Sequence, residues 1–220
     1  MPDDIYALMR GAPSTRHFTS DTVPREILYR VFDNARFAPS GGNRQGWRVI
    51  VVTKPEVRRR LRELYAEPWD KYMIATGGRA ALDAGEESGL SAGRLRMLRA
   101  ADEYAHHFDE VPVHLVVWVE PAALAITDAD LDRPSIVGGA SVYPFVQNLL
   151  LAIRHEGLGA SFTTLLVPAE PAVRELLGAP EGLAMAGHIA VGYRADPWPE
   201  KLRRNPVEDF TFGERYGEPW

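Results

Sequence analysis

Arg10 and the run Ser14-Thr15-Arg16-His17 put two guanidiniums and two hydroxyls within seven residues. A guanidinium is planar and permanently charged, suited to bidentate contact with phosphate, and hydroxyls add donors. The same cluster also reads as a solvated surface turn. The run Ala38-Pro39-Ser40-Gly41-Gly42-Asn43-Arg44-Gln45-Gly46-Trp47 places a Gly41-Gly42 pair and two carboxamides ahead of an apolar stretch. Glycine lets a backbone approach a flat ligand, and Asn and Gln can serve both donors and acceptors of a heterocycle. A plain helix-to-strand turn has the same composition. Gly157-Leu158-Gly159-Ala160-Ser161-Phe162-Thr163-Thr164 lacks the third glycine of a dinucleotide loop and leads from a helix into a strand, the reverse of that motif. Arg203-Arg204-Asn205-Pro206 is a second basic cluster near the other end, or a charged turn. His106-His107-Phe108-Asp109-Glu110 has metal-capable side chains, but neighbouring histidines on a helix point apart and no second cluster supports them, so no metal site is expected.

These groups need elements to hold them. Thr22-Val23-Pro24 starts a helix with Ile27, Leu28, Val31, Ala35 and Ala38 on one face, ended by Pro39. Trp47–Thr53 is short, β-branched and nearly all apolar, which predicts a central strand. Thr53-Lys54-Pro55-Glu56 has the pattern of a capping box for a helix burying Val57, Leu61 and Leu64. Residues 66–110 differ: five glycines, many charges, scattered aromatics and one helix from about Ser91 to His107. We read them as a lid-like excursion over the core. Strands follow at 113–119, 161–166 and 185–193, with an apolar helix at 135–156 and a short one at 171–177. The arm 195–220 is rich in proline and aromatics and needs a surface to lie on, such as a second subunit.

Composition narrows the classes. The 220 residues, 45% hydrophobic and 25% charged, suit one globular domain spanning 1–220. A net charge of −5 argues against nucleic acid or anionic membrane as partner. The absence of cysteine removes disulfides, thiolate metal sites and thiol nucleophiles. The acidic start Met1-Pro2-Asp3-Asp4 does not read as a secretory signal, and the longest apolar stretch is broken by Pro144 and carries Gln147 and Asn148. A cytoplasmic location is expected.

Taken together, certain pieces carry a family likeness: Ser14-Thr15-Arg16-His17-Phe18; Val23-Pro24 with Leu28; Ala35 through Trp47, with Pro39-Ser40-Gly41-Gly42-Asn43 most specific; Gln147-Asn148-Leu149-Leu150-Leu151-Ala152 before Gly157-Leu158-Gly159; and Ile189-Ala190-Val191-Gly192-Tyr193 ahead of Arg203-Arg204-Asn205-Pro206. In these the chain resembles the FMN-dependent nitroreductase family, over nearly its whole length and least between Glu67 and Glu110. The resemblance implies an α+β fold, a mixed and mainly antiparallel sheet surrounded by helices, in an intertwined homodimer with FMN at the interface. It implies that Arg10, Ser14, Arg16 and Arg204 meet the phosphate or ribityl chain. Ser40, Asn43 and Gln45 would meet the isoalloxazine or ribityl chain, with Phe162, Thr163 and Thr164 on the ring's other side. It implies hydride from NADH or NADPH, a nitroaromatic, quinone or similar small aromatic acceptor, a two-stroke mechanism and no side chain acting as acid or base. Trp69, Tyr72, Arg79, Arg96 and Tyr104 would form the lid that selects the acceptor. A non-catalytic flavin-binding protein, a reductive dehalogenase and a flavin-degrading enzyme are the alternatives the resemblance leaves open.

Overall fold

The computed structural model describes residues 4–220, so the reading of Met1-Pro2-Asp3 lies outside the described residues. Those residues form α1 (Ile5–Arg10), α2 (Arg25–Ala35), β1 (Trp47–Val52), α3 (Pro55–Ala75), α4 (Gly78–Ala84), α5 (Ala92–His107), β2 (Val113–Val119), α6 (Tyr143–His155), β3 (Leu158–Thr163), α7 (Glu170–Leu177) and β4 (Ala184–Tyr193). None of these helices is long and apolar enough to cross a membrane.

The strands pair antiparallel in the order β1-β2-β4-β3. Among the described residues the one parallel pairing is an isolated bridge from Ser14 to Ala160. Alternation along β2 sends Val113, Leu115, Val117 and Val119 to a core with α2 and α6, and Val116 and Trp118 to a core with α3, α5 and α7. Helices thus cover both faces, and strands buried on both faces become continuously apolar.

That corrects the reading of β1. Its apolar run predicts a central strand, but it lies at the edge of the sheet, with Val51 exposed. The run is apolar because its two faces meet the two cores, Trp47 and Val49 one and Ile50 and Val52 the other, not because strands flank both sides.

Three further readings change. Thr53 does not cap α3: Lys54 is the N-cap residue, without a side-chain cap bond. The helix expected over 135–156 divides into a 3-10 turn, Val137–Ser141, and then α6, because Pro144 fits only a first helical turn. The third strand starts three residues earlier than expected, at Leu158.

The segment 66–110 is not an excursion over a finished core. α3 runs on through Pro68 to Ala75, burying Leu61, Tyr65, Trp69 and Met73 at four-residue spacing on one face. α5, expected from about Ser91 and capped by the Ser91 hydroxyl, adds Leu95, Tyr104 and Ala105. Burial of that stripe outweighs the hydrogen bond Pro68 cannot make.

Candidate functional site

β3 closes one edge of the sheet, and its last residues form the floor of a cleft of about 480 Å³. Ser161, Phe162 and Thr163 supply that floor together with Thr164. Tyr65, Trp69 and Tyr72 of α3 make one wall; Arg94, Met97, Leu98 and Ala101 of α5 make another. Arg16, Tyr104 and Leu165 complete the lining. The volume suits a ligand of cofactor or drug size. Phe162 is seated by close backbone approach, since a Cβ on Gly187 would stand 2.5 Å from its Cε2.

The walls are clamped by one carboxylate. Trp69 Nε1 donates to Asp102 Oδ1 at 2.8 Å, and Arg79 Nη1 donates to Asp102 Oδ2 at 3.0 Å. Burial pushes this carboxyl up, but the bonds from Trp69 and Arg79 outweigh it and hold it below the usual carboxylate range. Burial raises both cleft phenols, Tyr104 and Tyr65. Arg16 opposes that shift for each of them. The Tyr104 hydroxyl lies beside Ser161 yet closes no hydrogen bond among the described residues.

Behind the floor lie two buried imidazoles. His114 Nε2 donates to Val111 O at 3.1 Å, which leaves its Nδ1 to accept from His188 Nε2 at 2.7 Å. That chain of bonds leaves His188 Nδ1 a buried acceptor without a partner among the described residues. Burial pushes His188 down to about 3, and burial with the neighbouring His188 and Arg58 pushes His114 down as well. Each histidine lay in plain view in the sequence, alone in an otherwise apolar strand. A strand roofed on both faces must bury it and must find it a partner.

The chain ends meet beside the cleft. Thr15 N donates to Ala160 O at 2.8 Å, Ala195 N to His17 O at 3.0 Å, and Leu202 N to Arg10 O at 2.9 Å. Arg154 stacks over Trp198 at 3.7 Å and donates to Gly11 O at 3.0 Å, pinning the arm to the amino-terminal segment.

The sequence-predicted residues fall into three groups. Arg16, Phe162, Thr163 and Thr164 line the cleft, and Ser14 shares a smaller adjoining pocket with Phe162. Arg10 and Arg204 share the neighbourhood through their backbones, but Arg10 faces the Tyr6 ring at 5.9 Å and Arg204 donates to Arg203 O at 2.8 Å. Ser40, Asn43 and Gln45 do not line the cleft. Their loop enters β1 at the opposite edge, three strand spacings or about 14 Å from β3. Ser40 Oγ accepts from Gln45 N at 3.0 Å, and Gln45 Nε2 donates to Asn43 Oδ1 at 3.1 Å. Asn43 and Gln45 hold φ of +54° and +50°, strain of the kind that collects at ligand-binding loops. Of the expected lid residues, Trp69, Tyr72 and Tyr104 line the cleft, while Arg79 is committed to Asp102 and Asp70. Sequence reasoning missed Tyr65 and Arg94. The four-residue repeat through Pro68 is the signal for Tyr65; nothing in the sequence separates Arg94 from its neighbouring arginines.

The sequence pattern of the nitroreductase family matches residues 9–193. The chain belongs to the nitroreductase family. This nitroreductase-family chain is 27% identical over 191 residues to iodotyrosine deiodinase 1 of Rattus norvegicus, covering 86% of the chain and 62% of that longer protein. It is 27% identical over 226 residues to a 4-nitrobenzoate reductase of Nocardioides sp. strain LMS-CY, covering 92% of the chain and 86% of that protein. Its fold superposes on a crystal structure of oxidized iodotyrosine deiodinase bound to FMN and 3-iodo-L-tyrosine, with a TM-score of 0.65 and 27% identity over 93% of this chain and 96% of that one.

Proposed function

We propose that this protein binds FMN in the cleft between α3, α5 and the end of β3, and that it passes reducing equivalents from NADH or NADPH to a small conjugated acceptor. The observation that carries the reading is the make-up of the cleft. It sets two guanidiniums, free of ion pairs among the described residues, beside a row of hydroxyls and an aromatic wall. That is the donor set a flat, phosphorylated cofactor needs.

FMN, when bound, supplies two-electron transfer between a nicotinamide and an aromatic acceptor. Arg16 and Ser14 would hold its phosphate or ribityl chain, with Arg10 and Arg204 near that end from the two chain termini. Phe162, Thr163 and Thr164 would meet its ring. Tyr104, kept protonated by burial, offers an O–H at the inner end of the cleft. Trp69 and Tyr72 keep water from the reacting face. Per turnover, NAD(P)H and one solvent proton convert a nitro group to nitroso and water.

The strained loop reaches a cleft through a second copy. Ser40, Asn43 and Gln45 of one protomer complete the site of its partner, and the exposed Tyr29, Phe37 and Ile136 become part of the joint. The lid walls choose the acceptor.

The visible spectrum of the purified protein tests this. A yellow dimer bleached anaerobically by NADH or NADPH, and restored by a nitroaromatic or quinone, is expected. Initial-rate plots for reductant against acceptor should be parallel, because the two occupy one cleft in turn. A colourless preparation that ignores added FMN overturns the reading. A yellow protein that neither nicotinamide bleaches indicates a flavin-binding protein without turnover.

A further inference from the structure

Two guanidiniums share one indole where the arm 195–220 meets the amino-terminal segment. Arg154, in the last turn of α6, lies 3.7 Å from the centre of the Trp198 ring, and Arg194 lies 5.5 Å from it. Counter-charge is short here. Arg194 stands 3.5 Å from Asp196, a carboxylate that also faces His17 at 3.2 Å. No carboxylate acts on Arg154 among the described residues, and burial and the neighbouring Arg194 both push its guanidinium down. Other half-buried arginines are matched: Arg62 by Asp109, Arg79 by Asp102 and Arg174 by Glu170. Arg154 Nε donates to Gly11 O at 3.0 Å, which leaves both Nη groups for a further acceptor. A half-buried cation set beside a second cation is costly unless an anion joins them.

A place for that anion lies alongside. Arg154, Ser14, Pro13 and Trp198 line a pocket of about 70 Å³ that adjoins the cleft through Phe162. That is well below the roughly 300 Å³ at which ligand pockets begin, so it suits one small group and not a ring system. Arg10 and Arg204 come near through their backbones, but their guanidiniums turn to the Tyr6 ring and to Arg203 O. We propose that Arg154 is a phosphate ligand, holding the terminal phosphomonoester of FMN in this pocket together with Ser14. The inference rests on the FMN reading and adds to it a helix residue outside every motif in the sequence. A guanidinium suits the task because its planar fork matches two phosphate oxygens. The apolar Leu150 and Leu158 in the same lining strengthen such a pair by keeping water away.

The test titrates the whole 220-residue chain, freed of flavin, with FMN and with riboflavin, read by quenching of flavin fluorescence. Riboflavin has the same ring and ribityl chain without the phosphate. Wild-type protein should prefer FMN. In Arg154→Gln the FMN-to-riboflavin affinity ratio should fall about tenfold or more, the scale of one charge-assisted hydrogen bond, with riboflavin affinity unchanged. Arg154→Lys keeps the charge and an aliphatic stem against Trp198 but loses the fork, so its ratio should fall between the two. That variant carries the test if Arg154→Gln does not fold. A ratio unchanged from wild type in both variants overturns the proposal. So does an equal loss of both flavins, which would leave Arg154 only the pin that holds the arm. A wild-type protein that takes up neither flavin overturns the FMN reading itself.

Discussion

On the sheet face that packs α2 and α6, the buried hydrophobic side chains are aliphatic apart from Phe145. On the face that packs α3 and α5, Tyr65, Trp69, Tyr104, Phe108 and Trp118 are buried, and His114 and His188 sit among them. Both faces are well covered, but they meet different demands. The first needs only shape and hydrocarbon area. The second must also satisfy imidazoles, phenols and two indole N–H groups, and it leaves the Tyr104 hydroxyl, Trp118 Nε1 and His188 Nδ1 without partners among the described residues. A face that only stabilises can be uniform; the face that builds a cleft carries polar atoms that folding alone does not require.

Breaking the aliphatic face should cost the most. Leu149→Ala empties a fully buried position and should lower unfolding free energy by about 2–5 kcal/mol in urea titration. A loss under 1 kcal/mol would mean that this face repacks freely, and the contrast would fail.

Acid should act on the other face. The folded protein keeps both imidazoles neutral, whereas the unfolded chain takes up protons below their ordinary value near 6.5. The unfolded state then binds more protons, so stability is fully present above pH 6.5 and declines as pH falls towards about 3, the folded value for His188. Each histidine contributes up to about 1.4 kcal/mol per pH unit within that window. Unfolding measured between pH 6.5 and 5 isolates them, because carboxylates protonate lower. A flat profile there would sink the buried neutral pair.

Trp69→Phe retains a ring but removes the bond to Asp102, which still has Arg79. We expect a loss of about 1 kcal/mol by denaturation and a looser cleft wall. Thr53→Ala should do least, within about 0.5 kcal/mol, since the hydroxyl caps nothing. A larger loss would restore the capping box to α3.

Much of this frame was legible in the residues. β2 and β4 stand out as apolar strands, and the helix read from about Ser91 to His107 is α5. The failures have physical causes. Apolar content reports how many faces are covered, not how many strands flank a strand, so β1 looked central. Gly157-Leu158-Gly159 looked like a stop, but only Gly157 turns, at φ +80°, while Gly159 is in the strand with Thr15 packed against it. Residues 66–110 read as a separate excursion, and a buried stripe on either side of Pro68 carried α3 through its start. In the candidate site, motif pieces pointed to Arg16 and Phe162–Thr164. They could not reveal that the Ser40–Gln45 loop stands at the opposite sheet edge. Arg94 needed three dimensions, because only the fold shows that it lines the cleft while Arg96 and Arg99 of the same helix do not.

The seat of Phe162 has an evolutionary implication. Position 187 has a hydrogen where nearly any other residue would bring a methyl group into the ring. Its φ of +158° adds strain to such a replacement. Enlarging that residue would tilt or lift the aromatic plate and reshape the chamber in front of it, with no change to a lining side chain. Descendants of this sequence seeking bulkier or slimmer guests therefore have a dial hidden one strand behind the surface the guest touches.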